Sequence, residues 1–360
     1  MAKTKFTNIQ IKGISCCVPS KIVENDQFIK YFDEITIKKI EKLIGVKQRR
    51  IVDLKTCTSD LCFAAANDLL NKISWDRDSI DALIFVTQTA DYRCPATACI
   101  LQDRLGLSQN CAAFDVNLAC SGYVYGLWLA NSLINSGLKR VLLLAGDTST
   151  MSFHGRPGED RSTLMLFGDA GSATAIESLP LSLPLKSYFC MGTDGRGYLN
   201  LITPTGGHRN FTTEESFIQR ILPDGSKRRD IELHMNGKEI FNFCVTIVPV
   251  LMEELLKYSD KKLDNVDYFV FHQANEFIIN HIRDFLDLNP KKIPMSIREF
   301  GNTSSASIPL SLVNEVRNEI QNQQNNFVML GFGAGYSWAG AFVENQKLDY
   351  AGLIEYDSQL

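Results

Sequence analysis

The chain has 360 residues, 45% hydrophobic and 22% charged, an ordinary globular composition with length enough to bury a large core. A formal net charge of −4 argues against nucleic acid or an anionic membrane as the main partner. The opening MAKTKFTNIQIKGISCCVPS lacks an unbroken apolar stretch, and no run of about eighteen apolar residues occurs, so a signal peptide and a transmembrane helix are both unexpected. A cytoplasmic protein is the expectation. Ten cysteines are scattered through apolar segments with no CxxC pair, which indicates neither a disulfide framework nor a zinc site. Most should be small buried hydrophobes.

In chain order, a helix is predicted over 59–72, a strand over 80–86 and another over 113–116. A helix over 121–135 and a strand over 140–145 follow. The second half repeats the alternation: helix 238–257, strand 268–271, helices 276–286 and 305–319, strand 327–330. This alternation is the pattern of an α/β protein, and the nearly continuous apolar strands imply sheets covered on both faces.

The segment SIDALIFVTQTA (79–90) is echoed by NVDYFVFHQANE (265–276), which sets Asp81 and Asp267 186 residues apart. KRVLLLAGD (139–147) and NNFVMLGFG (325–333) keep the same offset, and between them FDVNLACSG (114–122) stands opposite REFGNTSSA (298–306). Two copies of one α/β unit explain this economically, dividing the chain into halves 1–180 and 181–360. If a pseudo-twofold axis relates them, equivalent loops meet at the junction. Cys120 then faces Asn302, with His272 one strand away.

Each of the three has a chemical reading. Cys120 lies between an apolar strand and SGYVYGLWLANSLINSG, at a helix N-terminus where unpaired N–H groups favour thiolate. Its titration is therefore expected to fall below the ordinary value of about 8.5. His272 ends a buried strand, where α/β sheets gather ligands, although such a histidine can also be a hydrogen-bonded core residue. Asn302 sits in EFGNTSSAS, and Gly-Asn is equally a common turn pair.

The phrases DVNLACSGYVYGL, LFGDAGSA, FHQAN, FGNTSSASIP and GFGAGYSWAGA resemble, in order and over nearly the whole chain, the motifs of the β-ketoacyl-acyl-carrier-protein synthase III family. The resemblance implies a thiolase-like fold, a duplicated α/β unit forming a five-layered α-β-α-β-α sandwich, in a homodimer. It implies acyl transfer from an acyl thioester, usually acyl-CoA, to Cys120, followed by decarboxylative condensation with a malonyl thioester. His272 and Asn302 would donate hydrogen bonds to the enolate oxygen, while the backbone amides of Cys120 and Ala334 would form an oxyanion hole. Phe241, Asn275 and Phe332 would line the substrate tunnel, and Arg161 matches an arginine that packs on the adenine of CoA. No metal or redox cofactor is implied.

Several positions depart from the family. Lys39 stands where a tryptophan completes the adenine sandwich, and Phe277, Asp284 and Phe285 replace cations that dock an acyl carrier protein. Lys227, Arg228 and Arg229 are read as a solvated basic loop. Cys94 stands where a bulky aromatic reaches into the partner's acyl pocket, so a primer longer than acetyl is expected. Two other readings keep the fold. One is acyl transfer to an alcohol or amine, or condensation of two acyl-CoAs; the other is a non-catalytic partner subunit.

Overall fold

Apolar runs such as ALIFV and RVLLLAGD become buried interior strands of a six-stranded sheet. In the computed structural model, which describes residues 1–152, 160, 163–223 and 225–357, two large mixed sheets form the body. The six-stranded sheet has the order β17 (Tyr350–Tyr356), β2 (Ile9–Pro19), β8 (Ala170–Ser178), β7 (Arg140–Asp147), β5 (Ala82–Val86) and β6 (Ala112–Val116). The five-stranded sheet has the order β1 (Ala2–Thr7), β9 (Lys186–Thr193), β16 (Ser337–Asn345), β15 (Asn325–Gly333) and β14 (Tyr268–Phe271). Three small ribbons pair β3 (Ile22–Glu24) with β4 (Gln48–Arg50), β10 (Leu201–Ile202) with β13 (His234–Met235), and β11 (Arg220–Ile221) with β12 (Lys227–Arg228).

The helices are α1 (Glu34–Ile44), α2 (Thr58–Lys72), α3 (Thr97–Arg104), α4 (Gly122–Asn135), α5 (Gly237–Ser259), α6 (Glu276–Phe285), α7 (Ile297–Phe300), α8 (Ser307–Glu315) and α9 (Arg317–Asn322). Helix α2 covers the outer face of the six-stranded sheet, against β8, β2 and β7. Helices α4 and α8 touch strands of both sheets and so lie between them, while α5 packs on β16, β9 and β15 at the far side. The layers run helix, sheet, helix, sheet, helix, the expected five-layered sandwich. Gly126 lets α4 sit close to the first sheet: a Cβ there would lie 2.6 Å from Leu143 and 3.1 Å from Val86.

The internal echo is visible as shared register. Parallel strands β5 and β7 set Ala82 opposite Val141, and parallel β14 and β15 set Tyr268 opposite Phe327, each residue 186 positions from its counterpart. The echoed aspartates also do the same job. The Asp81 carboxylate accepts from the amides of Lys139 and Arg140, and that of Asp267 accepts from Asn326, so each ties its strand to the start of the next.

Two features differ from the sequence pattern. Strand β1 joins the sheet built mostly from later residues, and β17 joins the earlier one. The helix expected over 305–319 starts as a short 3-10 turn and breaks at Val316, whose φ of −133° leaves helical space between α8 and α9. A β-branched residue with little helical preference gives way there to packing against the core.

Candidate active site

Cys120 occupies the turn between β6 and α4 and is only 7% exposed. Strand β15 passes directly behind it. A Cβ at Gly333 would lie 2.7 Å from Cys120 Cβ and 3.1 Å from Sγ, so this approach requires glycine. The turn after Gly333 is held to the residue following the thiol. Ser121 Oγ lies 2.6 Å from Ser337 Oγ, which donates to the carbonyl of Ala334 at 2.9 Å.

The histidine and asparagine are fixed from below. His272 is 1% exposed, and its Nδ1 lies 2.8 Å from Ser307 Oγ at the start of α8, leaving Nε2 as the ring's second polar atom. The Phe332 ring packs edge-on against the imidazole at 5.6 Å. Gln273 beside it accepts from the amides of Ser296 and Ile297, locking the HQAN segment in place. Asn302, 5% exposed, accepts through Oδ1 from the Ser304 amide at 2.9 Å. That bond orients the carboxamide so that Nδ2 is the end available as a donor, and it also makes a 3.4 Å bond to the carbonyl of Ala274. The backbone of Asn302 bonds to Leu166 and Gly168, which gives the LFGDAG motif a structural role.

Cys120, His272 and Asn302 line one cavity of about 360 Å³, together with Phe241, Asn275, Phe332 and Cys244. The exposed members of its lining, Leu43 of α1, Lys238 of α5 and Phe277 of α6, mark its mouth, with Ile40 and Ile44 of α1 behind them. Asn275 has a second task, because its side chain caps α6 by accepting from Ile278 N at 2.7 Å. Phe241 stacks on Phe277 with ring centroids 5.5 Å apart. Cys94 is exposed and is not among the residues lining this cavity, and Arg161 lies outside the described residues. Lys227–Arg229 are half-buried rather than solvated, with Arg228 bound to Asp160 and Arg229 to Glu232 at 2.9 Å.

The expected depression of the thiol pKa is overturned. Burial, and then the nearby Asp147 carboxylate, push the Cys120 thiol up to about 12, against a smaller opposing effect of the Ser304 hydroxyl. The field of a helix terminus is worth at most ~2 kcal/mol, less than complete desolvation of a thiolate costs. Burial moves His272 the other way, down to about 3, so its imidazole is neutral at physiological pH. The resting site thus holds a neutral thiol, a neutral imidazole and a carboxamide.

Three contributors carried no sequence signal that the reading used. Asp147 accepts from Gln88 N at 2.8 Å and from Ser305 Oγ at 2.8 Å, and so clamps the Asn302 turn to the first half. Ser304 holds a left-handed φ of 51° and reaches 3.9 Å from the thiol. Cys244 faces the cavity from α5. Asp147 lay inside the echoed segment KRVLLLAGD, whose last residue was the available clue.

Comparison with known proteins decides the family. The pattern of 3-oxoacyl-[acyl-carrier-protein (ACP)] synthase III matches residues 114–186, and that of its C-terminal part matches residues 256–345. A putative 3-oxoacyl-[acyl-carrier-protein] synthase 3 of Campylobacter jejuni is 36% identical, over 99% of each chain. The chain belongs to the 3-oxoacyl-acyl-carrier-protein synthase III family. A β-ketoacyl-[acyl-carrier-protein] synthase III of Clostridium perfringens is 31% identical over 94% of this chain and 99% of its own. The crystal structure of a 3-oxoacyl-(acyl-carrier protein) synthase from Burkholderia xenovorans superposes with a TM-score of 0.92 at 41% identity, covering 99% of both chains. This synthase III relative is therefore a condensing enzyme of the acyltransferase class, with the thiolase-like fold.

Proposed function

We propose that Cys120 is the acyl-accepting nucleophile and that His272 and Asn302 are the donors for a decarboxylative condensation. The observation that carries this reading is the single cavity shared by all three side chains. In the first half-reaction the thiol sulfur bonds to the acyl carbon of an acyl thioester, and the thiol proton leaves with the departing carrier thiol. Neither a thiolate nor an imidazolium is favoured in so buried a site, so S–H cleavage accompanies attack rather than preceding it. The amides of Cys120 and Ala334 are the candidate oxyanion donors.

In the second half-reaction a malonyl thioester loses carbon dioxide, and the electron pair released forms an enolate. His272 Nε2 and Asn302 Nδ2 stabilise its oxygen as neutral donors, which cannot quench the carbanion as an acid would. The carbanion bonds to the acyl carbon, the C–S bond to Cys120 breaks, and one proton taken up restores the thiol. Every atom balances without a metal or redox cofactor. The carriers are CoA for the primer and an acyl carrier protein for the malonyl group.

The protein works as a homodimer in this reading. Strand β6 is an edge strand whose Phe114 and Val116, with Leu118 after it, are only half-buried in one chain. Such an edge is covered in a stable protein. Cys94 would then face the partner subunit's acyl pocket and leave room for a primer longer than acetyl. No helix among the described residues is long and apolar enough to cross a membrane, consistent with action in the cytoplasm. The chain's own division is into halves 1–180 and 181–360, with β1 and β17 exchanged between them.

The test combines two measurements. Intact-protein mass after incubation with acetyl- and octanoyl-CoA should show both adducts, on Cys120. Adding a malonyl thioester should then release carbon dioxide and discharge the adduct. Acylation with no carbon dioxide release would instead assign transfer to another acceptor, and a strict acetyl preference would remove the role given to Cys94.

A further inference from the structure

The cavity mouth is unevenly charged, and the unevenness separates two helices. On α6 the outward residues are Phe277, His281, Asp284 and Phe285; Phe285 is 70% exposed, and the His281 ring packs on Phe277 and Phe241. The acids of α6 are already engaged: Glu276 is bound by Arg298, and Asp284 by Arg283 at 2.6 Å. On α1, which contacts α6 across the mouth, Leu43 lies at the opening and Ile40 and Ile44 line the cavity behind it. Lys39 and Lys42 stand exposed beside them, and helical spacing puts Lys39 on the same face as Leu43, one turn away. Lys238, also exposed, borders the opening from α5. Among the described residues no ion pair engages Lys39, Lys42 or Lys238. The acids of α1 are engaged as well: Glu41 accepts from the buried Asn25 at 3.0 Å, and Glu34 pairs with Lys38 at 3.9 Å. The rim therefore presents unmatched cations on the α1 side. Beside them lie two exposed apolar contacts, Leu43 at 57% and Phe277 at 48%.

We propose that an acidic carrier protein, bearing the extender on a pantetheine arm, docks across α1 rather than along α6. Its anionic groups meet Lys39, Lys42 and Lys238, and its apolar contact rests on Leu43 and Phe277 while the arm enters the cavity. The inference depends on the condensing reading of that cavity. Charge complementarity selects this occupant. A largely apolar cavity of about 360 Å³ takes a thin arm and leaves the anionic body of the carrier outside, where separated surface charges act mainly on the rate of encounter. On α6 the one arginine is paired with Asp284 and no lysine is present, so apart from the His281 ring that face offers an acidic partner no free cation.

The experiment compares the wild type with Lys39→Glu/Lys42→Glu and with Asp284→Lys/Phe285→Lys, using malonyl-loaded acyl carrier protein, malonyl-CoA and malonyl-pantetheine as extenders. For the α1 variant, kcat/KM with the carrier protein should fall about tenfold at low salt and lose most of its salt dependence. On enzyme already acylated at Cys120, its reaction with malonyl-pantetheine should stay within about twofold, as the encounter effect applies only to a charged protein partner. The α6 variant should leave the carrier reaction unchanged or slightly faster. An unaltered carrier reaction in the α1 variant overturns the proposal. So does an equal fall with CoA, which would make these lysines a nucleotide-phosphate contact, or an equal fall with pantetheine, which would make the change structural. A wild type that condenses malonyl-pantetheine but gains nothing from the carrier defeats the docking surface alone. A wild type that condenses neither defeats the underlying reading.

Discussion

The turn before α4 and the turn before α8 occupy corresponding places in the duplicated unit; both helices lie between the sheets, and the two turns bring Cys120 and Asn302 to the same cavity. They are built in opposite ways. The first is sparse: Cys120 is followed by serine and glycine, backed by Gly333, and its thiol has one contact of 3.9 Å to a hydroxyl. The second is dense. Asn302 is held by Ser304 N, Ser305 is gripped by Asp147, and Ser307 supports His272. A nucleophile needs room to change bonding partners, whereas donors aimed at developing charge work best when they cannot reorganise. Duplication supplied two equivalent positions, and differences in packing and polarity left one sparse, as the proposed nucleophile requires, and made the other rigid.

The most severe break in that contrast is Cys120→Ala. It should abolish acyl-enzyme formation altogether, read as the absence of any added mass after incubation with acyl-CoA. Removing the rigid donors should be gentler and more selective. His272→Ala and Asn302→Ala should each lower condensation by about 10²–10³-fold, the usual cost of one oxyanion donor. Acylation of Cys120 should change by less than about tenfold, because in the proposed mechanism the first half-reaction draws on the amides of Cys120 and Ala334. Separate mass and carbon dioxide assays give the two rates, and an equal loss of both steps would show that the sparse and dense turns do not divide the work.

Smaller effects sharpen the electrostatic side. With the thiol held near 12, its alkylation by iodoacetamide should climb by up to about tenfold per pH unit through pH 10 without a plateau. A plateau near neutral pH would mean that the helix terminus, not burial, dominates. The same shift has a stability sign. The unfolded thiol loses its proton near 9.0 while the native one keeps it to about 12. The native state is therefore unpenalised below pH 9 and loses up to about 1.4 kcal/mol per unit as pH rises between those values. Cys120→Ser should flatten that alkaline decline.

What could be read from the sequence, and what could not, follows from the range of the interactions involved. The echo around Asp81 and Asp267 was legible because parallel strands keep their register with the motif that caps them. The meeting of Cys120, His272 and Asn302 was legible because the first two follow apolar strands, Asn302 precedes an apolar helix, and the echo sets such turns together; Asn302 alone looked like a turn residue and stood out only through the family resemblance. The exchange of β1 and β17 was not legible, since strand pairing between distant termini leaves no local periodicity. The sign of the thiol shift was missed for a related reason. A helix terminus is local and can be seen in sequence, whereas desolvation depends on Gly333 and the walls of the cavity arriving from elsewhere. Ser304 resembled an ordinary polar turn residue until its left-handed φ appeared.

The mildest test asks whether the two copies are equal where no chemistry is at stake. Asp81 accepts from two amides, at 2.7 and 2.9 Å, while Asp267 accepts from Asn326 alone at 2.7 Å. A hydrogen bond to a charged acceptor contributes roughly 1.5–3 kcal/mol when well shielded and less where water competes, as at both of these half-exposed sites. Asp81→Ala should therefore destabilise by about 2 kcal/mol and Asp267→Ala by about 1 kcal/mol. Chemical denaturation of the two variants measures the difference directly. Equal losses would mean that the second amide of the Asp81 pair adds nothing, and that the two strand-to-strand ties are energetically the same despite their different geometry.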